Sequence, residues 1–181
     1  MSITTGGGDK GWTGLLFEGR ARKDDPRIEA VGALDEACSW IGLAKTAMRS
    51  AADRRLLHAC QEDLFIVGSE CVTLPRNVRR LKLRIGPEHV NRLEVELRRL
   101  EKALKLEGCC FLIPGENRAS ALLDVARCVV RRAERRVTTL RRGNGAPNPL
   151  LPVYLNRLSD LLYLLARKAE KKRGVFVARK V

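Results

Sequence analysis

The segment from Asn117 to Leu140 constrains the fold most, because its apolar residues repeat with the period of one long helix. At about 100° per residue, six of them fall within about 80° of one another. These six are Leu122, Ala126, Val129, Ala133, Val137 and Leu140. Two alanines in such a stripe allow a neighbouring helix to come close, so the segment predicts a helix buried along one side.

A second face of this predicted helix carries Arg127, Arg131 and Glu134, with Arg135 just beyond them. The three arginines are spaced i, i+4 and i+8, an arrangement in which like charges repel. An anionic ligand would offset the repulsion, because guanidinium groups bind phosphate oxygens through paired hydrogen bonds. A solvated basic face explains the same pattern, so both interpretations stay open at this point.

Composition favours a helical protein with anionic partners. Hydrophobic residues make up 45% of the 181 residues and aromatics only 4%, so the core is aliphatic. The net charge of +14 predicts binding to nucleic acid, nucleotides or an acidic surface, without choosing among them. The six cysteines form no C-x-x-C pair, and we expect reduced, buried thiols in a cytoplasmic protein. We expect no secretory leader, membrane span or zinc site.

The helix boundaries predict a single all-α domain over residues 1–181. A loop occupies 1–25, a five-helix bundle 26–173 and a short extended tail 174–181. Asp25 and Pro26 begin the first helix as N-cap and first helical residue. The five helices are predicted at 26–45, 51–73, 87–104, 117–140 and 153–172, with 76–84 as a solvated basic linker.

Two features outside the arginine face are candidates for a site. The glycine-rich start, with Gly6, Gly7 and Gly8, is able to aim several backbone N–H groups at one anion, although a flexible tail has the same composition. The first helix has a predicted stripe of Ile28, Val31, Leu34, Cys38 and Ile41. Asp35 lies at the edge of that stripe, where it pairs either with a local cation or with an arginine elsewhere.

Six short motifs occur in order along the chain. They are TGGGDKGWT from Thr5, RARKDDPR ending at Arg27, VGALDE from Val31, FLIPG from Phe111, RCVVRRAERR from Arg127 and YLNRLSD ending at Asp160. With these motifs the chain resembles the PduO-type ATP:cob(I)alamin adenosyltransferases over nearly its whole length. The resemblance implies a five-helix bundle of the cobalamin adenosyltransferase type that forms a homotrimer with active sites between subunits.

The resemblance also implies the chemistry and the partners. The substrates would be ATP and cob(I)alamin, with Mg²⁺ as cofactor, and the products adenosylcobalamin and triphosphate. A flavin-type reductase would supply reduced cobalamin, and an adenosylcobalamin-dependent enzyme would receive the product. A catalytically weak cobalamin-binding or carrier relative is the first alternative. A basic helical bundle that binds nucleic acid is the second, and it rests on the net charge and on residues 76–84.

The resemblance assigns roles to individual residues. The implied ATP-binding residues are Thr5, Gly6, Gly7, Gly8, Thr13, Gly14, Lys23, Arg131, Arg132, Glu134, Arg135 and Asn156. Glu134 would lie near Mg²⁺, and Phe111 would press on the lower face of the corrin. Arg127 would pair with Asp35 of the partner subunit, so Arg127, Arg131, Glu134 and Asp35 are the implied catalytic group.

The chain departs from the family pattern in two places. Gly6 stands where relatives usually carry Lys or Arg, and Asp124 stands where they often carry His. Phe176 corresponds only loosely to a C-terminal aromatic that covers the corrin. The first departure bears on ATP affinity, and it motivates the carrier alternative.

Overall fold

The computed structural model describes residues 4, 6–105, 111–143, 145–170 and 175–176. Five α-helices account for most of them and confirm the all-α prediction. They are α1 (Pro26–Ala47), α2 (Ala51–Val72), α3 (Pro87–Leu104), α4 (Arg118–Arg142) and α5 (Leu150–Ala169). α4 lies between α1 and α5, while α2 packs against α1 and α3 packs against α5. The predicted arginine face is therefore on a helix at the middle of the bundle.

Local sequence explains where the helices begin. The Asp25 carboxylate accepts a hydrogen bond from the backbone N–H of Arg27, and Pro26 occupies the first turn. At the start of α4 the Asn117 side chain accepts from Ser120 N–H, and the Ser120 hydroxyl accepts from Asn117 N–H. These side chains satisfy backbone donors that have no partner within the helix.

The buried stripe of α1 differs from the predicted one. Its fully buried apolar residues are Ala30, Leu34, Ala37, Ile41 and Ala44. Ile28, Val31 and Cys38 are only half-buried. The prediction gave weight to the larger side chains, whereas three of the five buried residues are alanines, whose small size allows α1 and α4 to pack closely.

Two segments predicted to be irregular contain regular structure. Within 1–25, β1 (Trp12–Gly14) pairs antiparallel with β2 (Arg20–Arg22) as a hairpin. Its turn holds Phe17 at φ +72° and Gly19 at φ +86°, a reversal that periodicity does not reveal. The supposed solvated linker contains a 3₁₀ helix at Pro75–Arg80, which begins at its proline.

α5 begins at Leu150, three residues before the predicted start at Val153. Pro152 lies in the first turn, where its missing N–H breaks no helical hydrogen bond. The extended tail is confirmed only for β4 (Val175–Phe176), which pairs antiparallel with β3 (Phe111–Leu112). The rest of the predicted tail, residues 174 and 177–181, lies outside the described residues.

The cysteine prediction is confirmed for two buried thiols and wrong for one. Cys60 and Cys71 are buried in the core and Cys38 is half-buried, but Cys128 is exposed on α4. Cys109 and Cys110 lie outside the described residues. Within the described part of the chain, no helix is both long and apolar enough to cross a membrane.

The bundle also buries acidic side chains that the apolar patterns do not reveal. Asp63 on α2 accepts hydrogen bonds from Arg92 on α3 and from the Tyr154 hydroxyl on α5, the latter at 2.6 Å. Asp53 accepts from Lys168 through both of its oxygens at 2.8 Å. Both of these buried carboxylates meet a donor from another helix, as the cost of burying charge requires.

Candidate active site

The arginines of α4 divide between two sides of the helix. Arg132 forms an ion pair with Glu36 of α1, and Arg136 Nη2 lies 3.8 Å from Glu29 Oε2. Arg127 and Arg131 instead lie on the side that faces α5. Adjacent residues on a helix point about 100° apart, so Arg131 and Arg132 belong to different surfaces.

The first surface is a cleft of about 520 Å³, here called the α1–α4 cleft. Its polar lining comprises Thr13, Lys23, Glu29, Glu36, Arg132 and Arg136. Three residues that the resemblance assigns to ATP, namely Thr13, Lys23 and Arg132, therefore meet in one chain. Two carboxylates on its α1 wall pair with its arginines.

The second surface is a cleft of about 510 Å³, here called the α4–α5 cleft. Its polar lining comprises Glu101, Arg127, Arg131, Arg157, Ser159, Asp160 and Tyr163. The guanidinium of Arg131 is exposed and has no ion-pair partner among the described residues. This side chain is free to contact an anion that enters the cleft.

Two further predicted residues contact each other on the same side of α4. Asn156 Nδ2 lies 3.5 Å from Glu134 Oε1, a long hydrogen bond between α5 and α4. Arg135 donates to the carbonyl of Arg131 at 3.0 Å, so its side chain lies along the helix. Among the described residues, no group of three His, Cys, Asp or Glu side chains forms a metal site.

Arg127 is held by a network that the sequence did not indicate. Its Nε lies 3.4 Å from Asp124 Oδ1, and its guanidinium carbon lies 6.0 Å from the Tyr163 ring centroid. Arg167 lies 5.1 Å from the same ring centroid, donates to Asp124 and pairs with Glu170 at 3.0 Å. Asp124 and Arg167 are both buried. Asp124, which stands where relatives often carry His, is therefore part of a buried ion-pair network.

Within one chain Arg127 pairs with Asp124 and not with Asp35, the residue predicted to meet Arg127 across subunits. Asp35 is exposed on α1, and its carboxylate has no ion pair in the described part of the chain. The local cation that sequence reasoning considered for Asp35 is therefore not found among those residues.

The glycine-rich loop is tied to the hairpin that follows it. Gly6 and Gly11 have φ angles of +64° and +79°, which favour glycine. Arg20 Nη2 donates to the Gly7 carbonyl at 2.6 Å. A Cβ on Gly8 would lie 3.2 Å from Lys23 Nζ, so the Lys23 side chain crosses close to this loop. Gly14 ends β1 and is exposed, and Thr5 lies outside the described residues.

The backbone places two aromatic positions opposite each other. Phe111 of β3 is in register with Phe176 of β4. Sequence reasoning gave Phe111 a cobalamin role and left Phe176 without one. The strand pairing links them, although 65 positions separate them along the chain and no sequence periodicity relates the two segments.

Comparisons with known proteins agree with this architecture. The family model for cobalamin adenosyltransferase matches residues 3–169. A corrinoid adenosyltransferase from Citrobacter freundii is 40% identical over 169 residues, covering 93% of this chain and 94% of that protein. A corrinoid adenosyltransferase from Bacillus subtilis (strain 168) is 34% identical over 180 residues, covering 97% of this chain and 90% of that protein.

A solved structure extends the similarity to the fold. It is a variant of a PduO-type ATP:corrinoid adenosyltransferase from Lactobacillus reuteri, complexed with cobalamin and ATP. It superposes with a TM-score of 0.89 at 28% identity, covering 99% of this chain and all of that one. The family resemblance inferred from the six motifs is thereby confirmed, and the chain belongs to the cobalamin adenosyltransferase family.

Proposed function

We propose that this protein transfers the 5′-deoxyadenosyl group of ATP to cob(I)alamin, giving adenosylcobalamin and triphosphate. The observation that carries the proposal is the α4–α5 cleft, found in a chain that belongs to the cobalamin adenosyltransferase family. Arg127 and Arg131 line this cleft, and Glu134 contacts Asn156 on the same side of α4. We also propose that residues 1–181 form one domain with this activity.

The reaction explains why cationic side chains rather than a protein nucleophile define the site. The electron pair of cobalt(I) attacks the 5′ carbon of ATP and forms the cobalt–carbon bond. The bond from that carbon to oxygen breaks, and triphosphate leaves with its electron pair. Because the nucleophile belongs to the substrate, the protein has to align the reactants and neutralise the leaving group.

We assign the triphosphate to Arg131 and Arg135 on one side, and to Lys23, Arg132 and the N-terminal loop on the other. The loop residues in this assignment are Thr5, Gly6, Gly7, Gly8, Thr13 and Gly14. Asn156 would donate a hydrogen bond to the nucleotide. Exposed guanidinium and ammonium groups at these positions support the assignment, because charge-assisted hydrogen bonds to phosphate are strong.

The two clefts support a homotrimer with active sites between subunits. Within one chain, Lys23 and Arg132 lie at the α1–α4 cleft, whereas Arg131 and Asn156 lie on the α5 side of α4. One ATP is able to touch both groups if the loop of one subunit faces the α4–α5 cleft of the next. The unpaired Asp35 is available for Arg127 of the partner subunit in such an assembly.

The side chains present fit a magnesium ion bound mainly by its substrate. Mg²⁺ keeps several waters and is commonly held by one or two carboxylates together with substrate phosphates. Glu134 offers one carboxylate oxygen beside Asn156. The ion would supply further neutralisation of the triphosphate, and Glu134 would orient it directly or through water.

Phe111 is assigned to the lower face of the corrin, where an apolar side chain would exclude water and the lower axial ligand of cobalt. Its strand pairing with Phe176 supports a role for the C-terminal segment nearby. The cytoplasm, a flavin-type reductase and an adenosylcobalamin-dependent enzyme complete the proposed context, because cobalt(I) needs a reductant and the product needs a consumer.

Contacts of the N-terminal loop and of the 3₁₀ helix bear on the two alternative functions. A carrier role was motivated by the missing basic side chain at Gly6, but the Arg20 guanidinium reaches the same loop at Gly7. A nucleic-acid role was motivated by the basic segment 76–84. Arg76 and Arg80 in that segment contact Glu18 and Phe17 of the hairpin, a structural role for these two side chains that needs no nucleic acid.

The experiment that tests the proposed function follows absorbance after anaerobic mixing of the protein with pre-reduced cob(I)alamin and ATP. A light-sensitive cobalt–carbon bond should form. Arg131→Ala should lower kcat by about 10²–10³, the scale of losing one preorganised charge donor. Arg55→Ala on the exposed face of α2 is the matched control and should behave as wild type. Wild-type protein without turnover would favour the carrier role.

A further inference from the structure

The β1–β2 hairpin needs support from outside itself. Each strand has three residues, and of these six only Ala21 is buried. A two-stranded hairpin alone is marginally stable in water. The contacts that hold its turn against the rest of the chain therefore decide where the hairpin sits.

Those contacts come from the 3₁₀ helix at Pro75–Arg80. The Glu18 carboxylate in the hairpin turn accepts hydrogen bonds from Arg76 Nε and from Asn77 Nδ2, both at 2.8 Å. The guanidinium carbon of Arg80 lies 4.5 Å from the centroid of the Phe17 ring. The hydrogen bonds from Asn77 and Arg76 also lower the pKa of Glu18, because they stabilise its ionised carboxylate.

The other end of the hairpin carries the groups assigned to ATP. Lys23 directly follows β2, and its N–H donates to the Gly11 carbonyl at 2.9 Å. Arg20 in β2 donates to the Gly7 carbonyl. The glycine-rich loop is thus bonded to the hairpin through Gly7, and the backbone of Lys23 through Gly11. A shift at the hairpin turn would therefore move the loop and the base of the Lys23 side chain.

We propose that the 3₁₀ helix is a docking platform for the nucleotide loop, with Glu18, Arg76 and Asn77 forming a latch that positions Gly7, Gly8 and Lys23. This inference rests on the proposed function for its catalytic consequence. The three latch residues are positioning residues, because their contacts are to the hairpin turn rather than to the substrate. The segment that looked like a solvated linker would then control ATP binding.

The latch acts through several contacts together. Glu18 and Arg76 are largely exposed, and an exposed ion pair alone contributes little. Asn77, however, is only 7% exposed, so its amide offers Glu18 a fixed donor. Loss of Glu18 removes both hydrogen bonds at once, which makes it the sharpest position to change.

The test compares Glu18→Ala and Glu18→Gln with Arg79→Ala. Arg79 is exposed on the same 3₁₀ helix and has no ion pair among the described residues, so it is the matched control. Glu18→Ala should raise the KM for ATP about five- to tenfold, because both hydrogen bonds that hold the hairpin turn are lost. The kcat at saturating ATP and the KM for cobalamin should stay within about twofold of wild type. Glu18→Gln, which keeps an acceptor oxygen, should recover part of the ATP affinity.

Hydrogen exchange separates this inference from the proposed function. Amides of residues 12–22 should exchange faster in Glu18→Ala than in wild type or Arg79→Ala, while those of α4 should be unchanged. A wild-type protein without adenosyl transfer would refute the function, and the exchange measurement would still test the latch. An active Glu18→Ala with wild-type KM for ATP would refute the latch. Equal changes in both KM values, with faster exchange in α4, would show general destabilisation and also refute it.

Discussion

Replacing Arg167 with methionine tests whether the network behind Arg127 holds the bundle together. Arg167 is 1% exposed and Asp124 is 4% exposed, so their charges are removed from water. Methionine keeps much of the length of arginine but removes the charge and the hydrogen-bond donors. Asp124 and Glu170 would then remain beside each other without their shared cation.

The expected cost follows from this geometry. Removing one partner of a buried ion pair typically destabilises a protein by about 3–5 kcal/mol. Arg127 still lies 3.4 Å from Asp124 and compensates part of the charge, so we expect the lower end, about 3 kcal/mol. For a chain of this size, that corresponds to a fall in Tm of about 6–12 °C.

Urea unfolding followed by far-UV circular dichroism measures this loss. Protein concentration has to be held constant, because the proposed homotrimer would couple stability to concentration. Arg98→Met is the control, since Arg98 forms an exposed i,i+4 pair with Glu94 on α3 and should change stability by less than about 0.5 kcal/mol.

The double variant Asp124→Asn with Arg167→Met should be more stable than Arg167→Met alone, because it removes the uncompensated carboxylate. A loss below about 1 kcal/mol in Arg167→Met would show that Asp124 does not depend on this cation. An Arg98→Met variant that loses as much as Arg167→Met would equally contradict the argument from burial.

Three further outcomes are expected. Phe111→Ala should nearly abolish turnover that starts from cob(II)alamin with a weak reductant, but turnover of pre-reduced cob(I)alamin should persist. Absorbance compares the two rates. Equal losses in both rates would mean that Phe111 only packs against its neighbours. Asp35→Asn and Arg127→Ala should be coupled by more than about 0.5 kcal/mol in a double-mutant cycle on activity, with subunit mass followed by light scattering. Additive effects would mean that the two residues do not touch across subunits. Burial raises the pKa of the Cys60 thiol to about 12, so at pH 8 it stays protonated and should resist iodoacetamide until the protein unfolds. Cys128 is exposed and should react before Cys60 in peptide mass mapping, and early labelling of Cys60 would contradict the buried core.

Local chemistry was sufficient to predict the helices and the family. Asp25 with Pro26, and Gly86 with Pro87, mark helix starts because capping and proline geometry act within one turn. The apolar stripe of α4 was also largely predicted, although Leu123 and Val130 are buried and Leu122 only half-buried. Motif order in the sequence likewise led to the correct family before any fold was known.

Tertiary structure decided which residues work together. Arg131 and Arg132 are neighbours in sequence, yet they line different clefts, because α1 packs on one side of α4 and α5 on another. Glu18 and Arg76 are 58 positions apart and meet only through docking of the hairpin. Local patterns report the direction of a side chain relative to its own helix, whereas partners such as Arg167 for Asp124 depend on how helices pack.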